Sequence, residues 1–290
     1  MLREGINGFC MALADSVPGV SGGTVAFIMG FYDRFIGSIY DLAFGSPEEK
    51  KSALIYLAKL GVGWVIGMAM AVIVLSALFE SHIYVVGSLF LGFVLGAIPL
   101  IVEQEREGLK KAEGSFTFCL IGMAVVIGIT WTNGRVGSAV MDLGQFSVGT
   151  ALRLFLIGMI AISAMFLPGI SGATLLMVFG AYIPVITAVK RVLTLDFSYA
   201  PCLMFFICGI AAGALTVVKV IRVCLEKFRA QTIYVILGMM TGSLYAIGMG
   251  PTTLEIPQKP INMSNFSLIA AIAGVVLVFG LQIMREKSET

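Results

Sequence analysis

Charge is scarce in this 290-residue chain: Asp, Glu, Lys and Arg together make up 12%, against 58% hydrophobic residues. With a mean hydropathy of +0.98, long stretches must be solvated by lipid tails rather than by water. His82 is the only histidine, and one imidazole cannot build a Cys/His metal cluster. The five cysteines (Cys10, Cys119, Cys202, Cys208, Cys224) are odd in number and have no paired spacing. They read as small buried hydrophobes, not as a disulfide framework. Acidic residues are few inside the apolar runs, so no glutamate cluster for general-base or metal chemistry is expected. No cofactor and no nucleic-acid partner is expected either. A cleavable signal peptide is not expected, because Asp15 and Pro18 interrupt the first apolar stretch.

What is present is long apolar runs, continuous rather than alternating, which favours membrane-spanning helices over a barrel. Six uninterrupted segments can be drawn, roughly 57–79, 83–102, 116–132, 200–221, 231–250 and 266–284. Two further segments are broken, and they repeat each other. Residues 2–39 recur at 152–189: Leu2-Arg3 returns as Leu152-Arg153, and Pro18-Gly19-Val20-Ser21-Gly22-Gly23-Thr24 as Pro168-Gly169-Ile170-Ser171-Gly172-Ala173-Thr174. Gly63, Gly67, Gly92 and Gly96 correspond to Gly209, Gly213, Gly238 and Gly242 at a shift of 146, and such small-xxx-small pairs suit close helix packing.

Loop charges decide between crossing and turning back. If each broken segment is a re-entrant hairpin, one side collects Arg3, Lys50, Lys51, Arg106, Lys110, Lys111, Arg222, Lys227, Arg229, Arg285 and Lys287. The other side holds only Arg135, Lys190, Arg191 and Lys259. If each crossed once, the two sides would nearly balance, so the positive-inside rule selects the hairpins and puts both termini in the cytoplasm. The expected fold is an all-α polytopic membrane protein built as an inverted-topology repeat within one transmembrane domain, 1–290. Each half, 1–135 and 148–290, contributes one re-entrant hairpin (about 2–42 and 150–192) and three transmembrane helices.

The hairpin sequences carry the chemistry. Helix breaks are expected near Pro18 and Pro168. Ser21 and Ser171 can cap the helices that follow. Gly19, Gly22, Gly23, Gly169 and Gly172 allow tight turns and close approach of a ligand to backbone N–H groups. Two helix starts brought together from opposite leaflets would offer amides and positive dipole ends to an anion near the midplane. Ser21, Gly22, Gly23, Thr24, Ser171, Gly172, Ala173 and Thr174 are therefore candidate phosphate ligands. Arg3 and Arg153, at equivalent positions near the hairpin mouths, can grip a phosphate with two parallel hydrogen bonds or serve as interfacial anchors. Asp15, with Met165 in its place in the second half, can cap a helix, pair with an arginine or carry a coupled proton. Asp33 and Arg34 read as a solvated pair, Lys59 and Lys219 as snorkelling residues, and Glu80 and His82 as an outer turn.

At Asp15-Ser16-Val17-Pro18-Gly19-Val20-Ser21-Gly22-Gly23-Thr24 and Leu167-Pro168-Gly169-Ile170-Ser171-Gly172-Ala173-Thr174 the chain resembles the bacterial polyprenyl-phosphate transporters, and the resemblance runs over essentially its whole length. It implies a flippase in the bacterial cytoplasmic membrane that returns undecaprenyl phosphate from the outer to the cytoplasmic leaflet for cell-wall synthesis. The implied partners are that lipid and the surrounding membrane, and a homodimer is allowed. A rival is the undecaprenyl-pyrophosphate phosphatase, also an inverted repeat, whose loop places arginine and serine after the motif serine. Here glycine follows directly, at Gly22 and Gly172. A small-anion transporter or channel is the second rival, since the same helix ends would serve it.

Overall fold

The computed structural model describes residues 2–16, 21–111, 115–133, 143, 147–169, 172–253 and 258–289. Pro18, Gly19, Ser171 and Arg135 lie outside the described residues, and Ala173 and Thr174 are placed through their backbone alone. Among the described residues all regular structure is helical. In chain order the α-helices are α1 (Leu2–Asp15), α2 (Gly22–Ile28), α3 (Tyr32–Phe44), α4 (Pro47–Gln104), α5 (Arg106–Lys111), α6 (Phe116–Asn133), α7 (Val148–Phe166), α8 (Gly172–Val178), α9 (Tyr182–Leu193), α10 (Ala200–Lys227), α11 (Arg229–Met249) and α12 (Leu268–Glu289).

Local sequence accounts for the starts and stops. α1 and α7 end at Asp15 and Phe166, shortly before the expected breaks. Ser21 caps α2 with its hydroxyl accepting from Gly23 N–H at 3.1 Å. Pro47 opens α4 behind a capping box in which Ser46 and Glu49 exchange backbone N–H bonds. Straight, the 58 residues of α4 would run about 87 Å, almost three times a hydrocarbon core of about 30 Å. Non-helical dihedrals at His82 (φ −140°, ψ 39°) divide it into two arms, at the place where an outer turn was expected. The turns after α2 and α8 are copies: Gly30 and Gly180 take φ of 71° and 66°, and Phe31 N–H and Ala181 N–H reach back to the carbonyls of Ala26 and Leu176. A left-handed residue at this position is what ends a helix with its last carbonyls satisfied.

Among the described residues five helical stretches are long and apolar enough to cross a membrane: Pro47–Ala71, His82–Gln104, Val148–Phe166, Phe197–Lys227 and Arg229–Thr252. Phe116–Thr132 and Leu268–Gly280 are shorter apolar helices. The stretch Val148–Phe166 stands out, because the sequence reading makes it the first arm of a hairpin. Large apolar side chains such as Ile269, Val276, Val62 and Met204 point outward, the arrangement that lipid tails require.

Packing follows the glycines. α1 lies on the first arm of α4, where Gly63 abuts the backbone of Gly5 and Gly8 abuts Leu60 and Trp64. α7 lies on α10 in the same way, with Gly209 against Phe155 and Gly158 against Phe206 and Ile210. The last helices are exchanged. α6 of the first half packs on α11 through Gly238 and Cys119, and α12 of the second half packs on the second arm of α4 through Gly92 and Ala271. At each of these glycines a Cβ would collide with facing backbone, so the contacts need hydrogen as the side chain. The largest buried cluster accordingly mixes Ile28, Ile36, Val94 and Ile101 with Ile233, Met240 and Val278.

Candidate functional site

The two broken segments meet. Ser21 and Thr24, each 1% exposed, lie against the backbone that follows α7. The Ser21 hydroxyl donates to the carbonyls of Met165 (3.4 Å) and Leu167 (3.3 Å), and Gly169 N–H donates to Thr24 Oγ1 at 3.0 Å. Tyr32, at the start of α3, donates its hydroxyl to the Phe166 carbonyl at 2.9 Å. The last carbonyls of a helix have no partners within it, and here hydroxyls from the other half supply them. Gly169, at φ 91°, passes so close to the backbone of Met239 and Met240 in α11 that a side chain would clash.

The amides at the start of α2, read as open to an anion, are already paired. Gly22 N–H donates to Asp15 Oδ1 at 2.6 Å, and Asp15 Oδ2 accepts from Trp64 Nε1 at 3.0 Å. Gly23 N–H is taken by Ser21. The start of α2 faces a carboxylate and the carbonyl end of α7, so its positive pole is already compensated. The physical reason is general: donors buried in apolar surroundings cost about 1–3 kcal/mol each when left unmade, and the fold pairs them internally. In the second half the Met165 side chain covers Gly172 as Asp15 covers Gly22, and Ile210 stands where the first half has Trp64.

The arginines are elsewhere. Arg3 and Arg153 are exposed, near the starts of α1 and α7, so each is about 18–20 Å along its helix from the loop it precedes. The structure thus gathers Asp15, Ser21, Gly22, Gly23, Thr24, Pro168 and Gly169 but leaves both arginines near the far ends of α1 and α7.

A charged network lies at the α3 end of the molecule. Arg229 holds Asp33 (3.0 Å) and, through two nitrogens, Glu105 (2.6 and 3.1 Å), while Arg222 holds Asp41 and Glu226, both at 2.9 Å. The acids Asp33, Asp41 and Glu105 come from the first half and both arginines from the second. A cavity of about 220 Å³ between α3 and α10 is lined by Asp33, Arg222, Glu226 and Arg229. Asp33 is therefore not paired with Arg34 as the sequence reading has it. Arg34 stacks on Tyr56 instead, with Cζ 4.3 Å from the ring centroid. Sequence reasoning missed Trp64, Tyr32 and this network. For Trp64 a signal existed: it is one of two tryptophans, and the repeat places Ile210 opposite it at the shift that relates the glycines.

Comparison with known proteins gives the family. The chain is 30% identical to a polyprenyl-phosphate transporter of Staphylococcus aureus over 94% of its own length and 93% of the relative's. It is 29% identical to a polyprenyl-phosphate transporter of Vibrio cholerae over 97% of its length and 96% of that protein. No solved structure matches it. The family model described as undecaprenyl phosphate translocase-like covers residues 11–265, and with a match of that extent the chain belongs to this family.

Proposed function

We propose that the chain carries undecaprenyl phosphate, or a closely related polyprenyl phosphate, from the outer to the cytoplasmic leaflet of the bacterial cytoplasmic membrane, returning the carrier lipid to cell-wall synthesis. The observation that carries the reading is the contact between the motif loops. Two Pro/Gly breaks in apolar sequence are joined by Ser21, Thr24 and Gly169, at a place where a purely structural helix would have no need to break. The names of the two relatives support the substrate class and a carrier rather than an enzyme.

In this reading the halves are inverted, α1–α2 and α7–α8 are re-entrant, and both termini face the cytoplasm. α2 and α8 have seven residues each, about 10 Å of helix, too short to cross. The conformation described here is the closed one. Parting the loops frees the Ser21 and Thr24 hydroxyls and Gly169 N–H, and protonation of Asp15 releases Gly22 N–H and Trp64 N–H. Together with the start of α8 these donors take the phosphate while the isoprenoid tail stays in lipid. Arg153 gathers the head group on the outer side and Arg3 on the inner side.

The test is reconstitution into liposomes with a labelled polyprenyl phosphate, following leaflet exchange with and without a pH gradient. Exchange that falls to the protein-free rate on Ser21→Ala/Thr24→Val substitution is the expected result. An unsubstituted chain that exchanges no lipid under either condition ends the transport reading.

A further inference from the structure

Arg34, next to Asp33 on α3, takes no part in the ion-pair network that Asp33 joins. Its guanidinium lies over the Tyr56 ring, Cζ 4.3 Å from the centroid, and among the described residues it makes no ion pair. A cation held on a ring face keeps its fork of N–H donors for a further acceptor. Tyr56 is 5% exposed, and its hydroxyl has no hydrogen-bond partner. A buried hydroxyl left without a partner is costly, so one kept in a native fold calls for an explanation.

The charges that act on this hydroxyl come from two neighbouring elements: Arg34 on α3, and Glu4 and Arg3 on α1. Lys59, three residues beyond Tyr56 on α4, acts on Glu4. Around this buried donor the cations outnumber the one carboxylate. The second half has no such group: Pro184, Cys202 and Phe205 replace Arg34, Tyr56 and Lys59, and Arg153 alone answers Arg3.

We propose that Arg34 and Tyr56, with Arg3 and Lys59, form a phosphate-binding station at the α1–α3–α4 mouth of the first hairpin, which receives a phosphate monoester head group after it leaves the motif loops. The Arg34 fork takes two phosphate oxygens and the Tyr56 hydroxyl donates to a third. The station rests on the transport reading and gives it a side: the head group is held at the mouth that carries the first hairpin and not at the Arg153 mouth.

The experiment uses the purified full-length chain with two probes, farnesyl phosphate and inorganic phosphate, and compares Arg34→Ala, Arg34→Lys and Tyr56→Phe, with thermal midpoints recorded alongside. Arg34→Ala is expected to weaken farnesyl phosphate binding about tenfold, with Arg34→Lys between it and the unsubstituted chain, because lysine keeps the charge and loses the fork. Tyr56→Phe is expected to weaken binding about threefold with an unchanged or higher midpoint, since it removes a hydroxyl that has no partner in the closed state. Parallel weakening for inorganic phosphate shows a site that reads the phosphate group itself. Weakening confined to farnesyl phosphate shows one that reads it on a lipid tail, and both results support the station. If Arg34→Ala and Tyr56→Phe bind farnesyl phosphate as the unsubstituted chain does, the station is overturned and the transport reading stands. If the unsubstituted chain binds neither probe and exchanges no lipid, both fall.

Discussion

In the first half Asp15 reaches the start of α2 and takes N–H groups from Gly22 and Trp64; in the second half Met165 lies over Gly172 at the same place and Ile210 stands for Trp64. The scaffold around both spots is alike. Gly8 meets Leu60 and Trp64 as Gly158 meets Phe206 and Ile210, and the turns at Gly30 and Gly180 are copies. Close backbone contact tolerates only glycine, so both halves retain those positions whatever else differs. A polar pair is different, because acid and indole must be present together or replaced together. An acid without its donors is a buried charge, and donors without the acid are unmade hydrogen bonds. The comparison teaches that the repeat fixes the packing twice and sets a titratable group on one side only.

The largest effect should come from breaking the shared scaffold. Gly92→Ile and Gly238→Ile each force a side chain into the backbone of the exchanged helix and should cost about 3 kcal/mol or more in either half. The measurement is loss of the monodisperse species and of the thermal midpoint; if one substitution is tolerated and the other is not, the halves are not mechanically equivalent.

Next comes the asymmetric spot. Asp15→Leu strands two N–H donors, about 1–3 kcal/mol for each, whereas Met165→Leu is a near-isosteric exchange of less than about 1.5 kcal/mol. Midpoints measured in one detergent should differ accordingly, and equal shifts would remove the distinction between the halves. Asp15→Asn retains an acceptor for Gly22 or Trp64 and removes the titrating proton. Leaflet exchange by this variant should persist but lose its response to a pH gradient, and a preserved response would take Asp15 out of the coupling.

A smaller change is expected from Ser21→Ala. It deletes the α2 cap, about 1 kcal/mol, along with the long bonds to Met165 and Leu167. Stability should fall by about 1–2 kcal/mol in chemical denaturation. The smallest effect belongs to the charged network: Arg222, whose side chain is 35% exposed, should on replacement by Met cost less than about 1 kcal/mol and only at low salt.

How much of this was legible can be judged from particular residues. The period of the apolar runs, the breaks before Pro18 and Pro168, the Ser21 cap and the glycine pairs are local properties, set by helix geometry and by the size of one side chain. They could be read without coordinates. Asp33 was assigned to its neighbour Arg34, yet its partner is Arg229, 196 residues away. The amides at the start of α2 were read as open to an anion, and Asp15 and Ser21 occupy them.

The sequence by itself determined the class of protein, the duplication, the points where helices stop, and the donor-rich loops, because hydropathy, helix period and capping act within a few residues. Only the tertiary structure decided that Ser21 and Tyr32 cap the end of α7, that α6 and α12 change places between halves, and which arginine meets which acid. A hydrogen bond reaches about 3 Å, and which groups come within that reach depends on how whole helices pack.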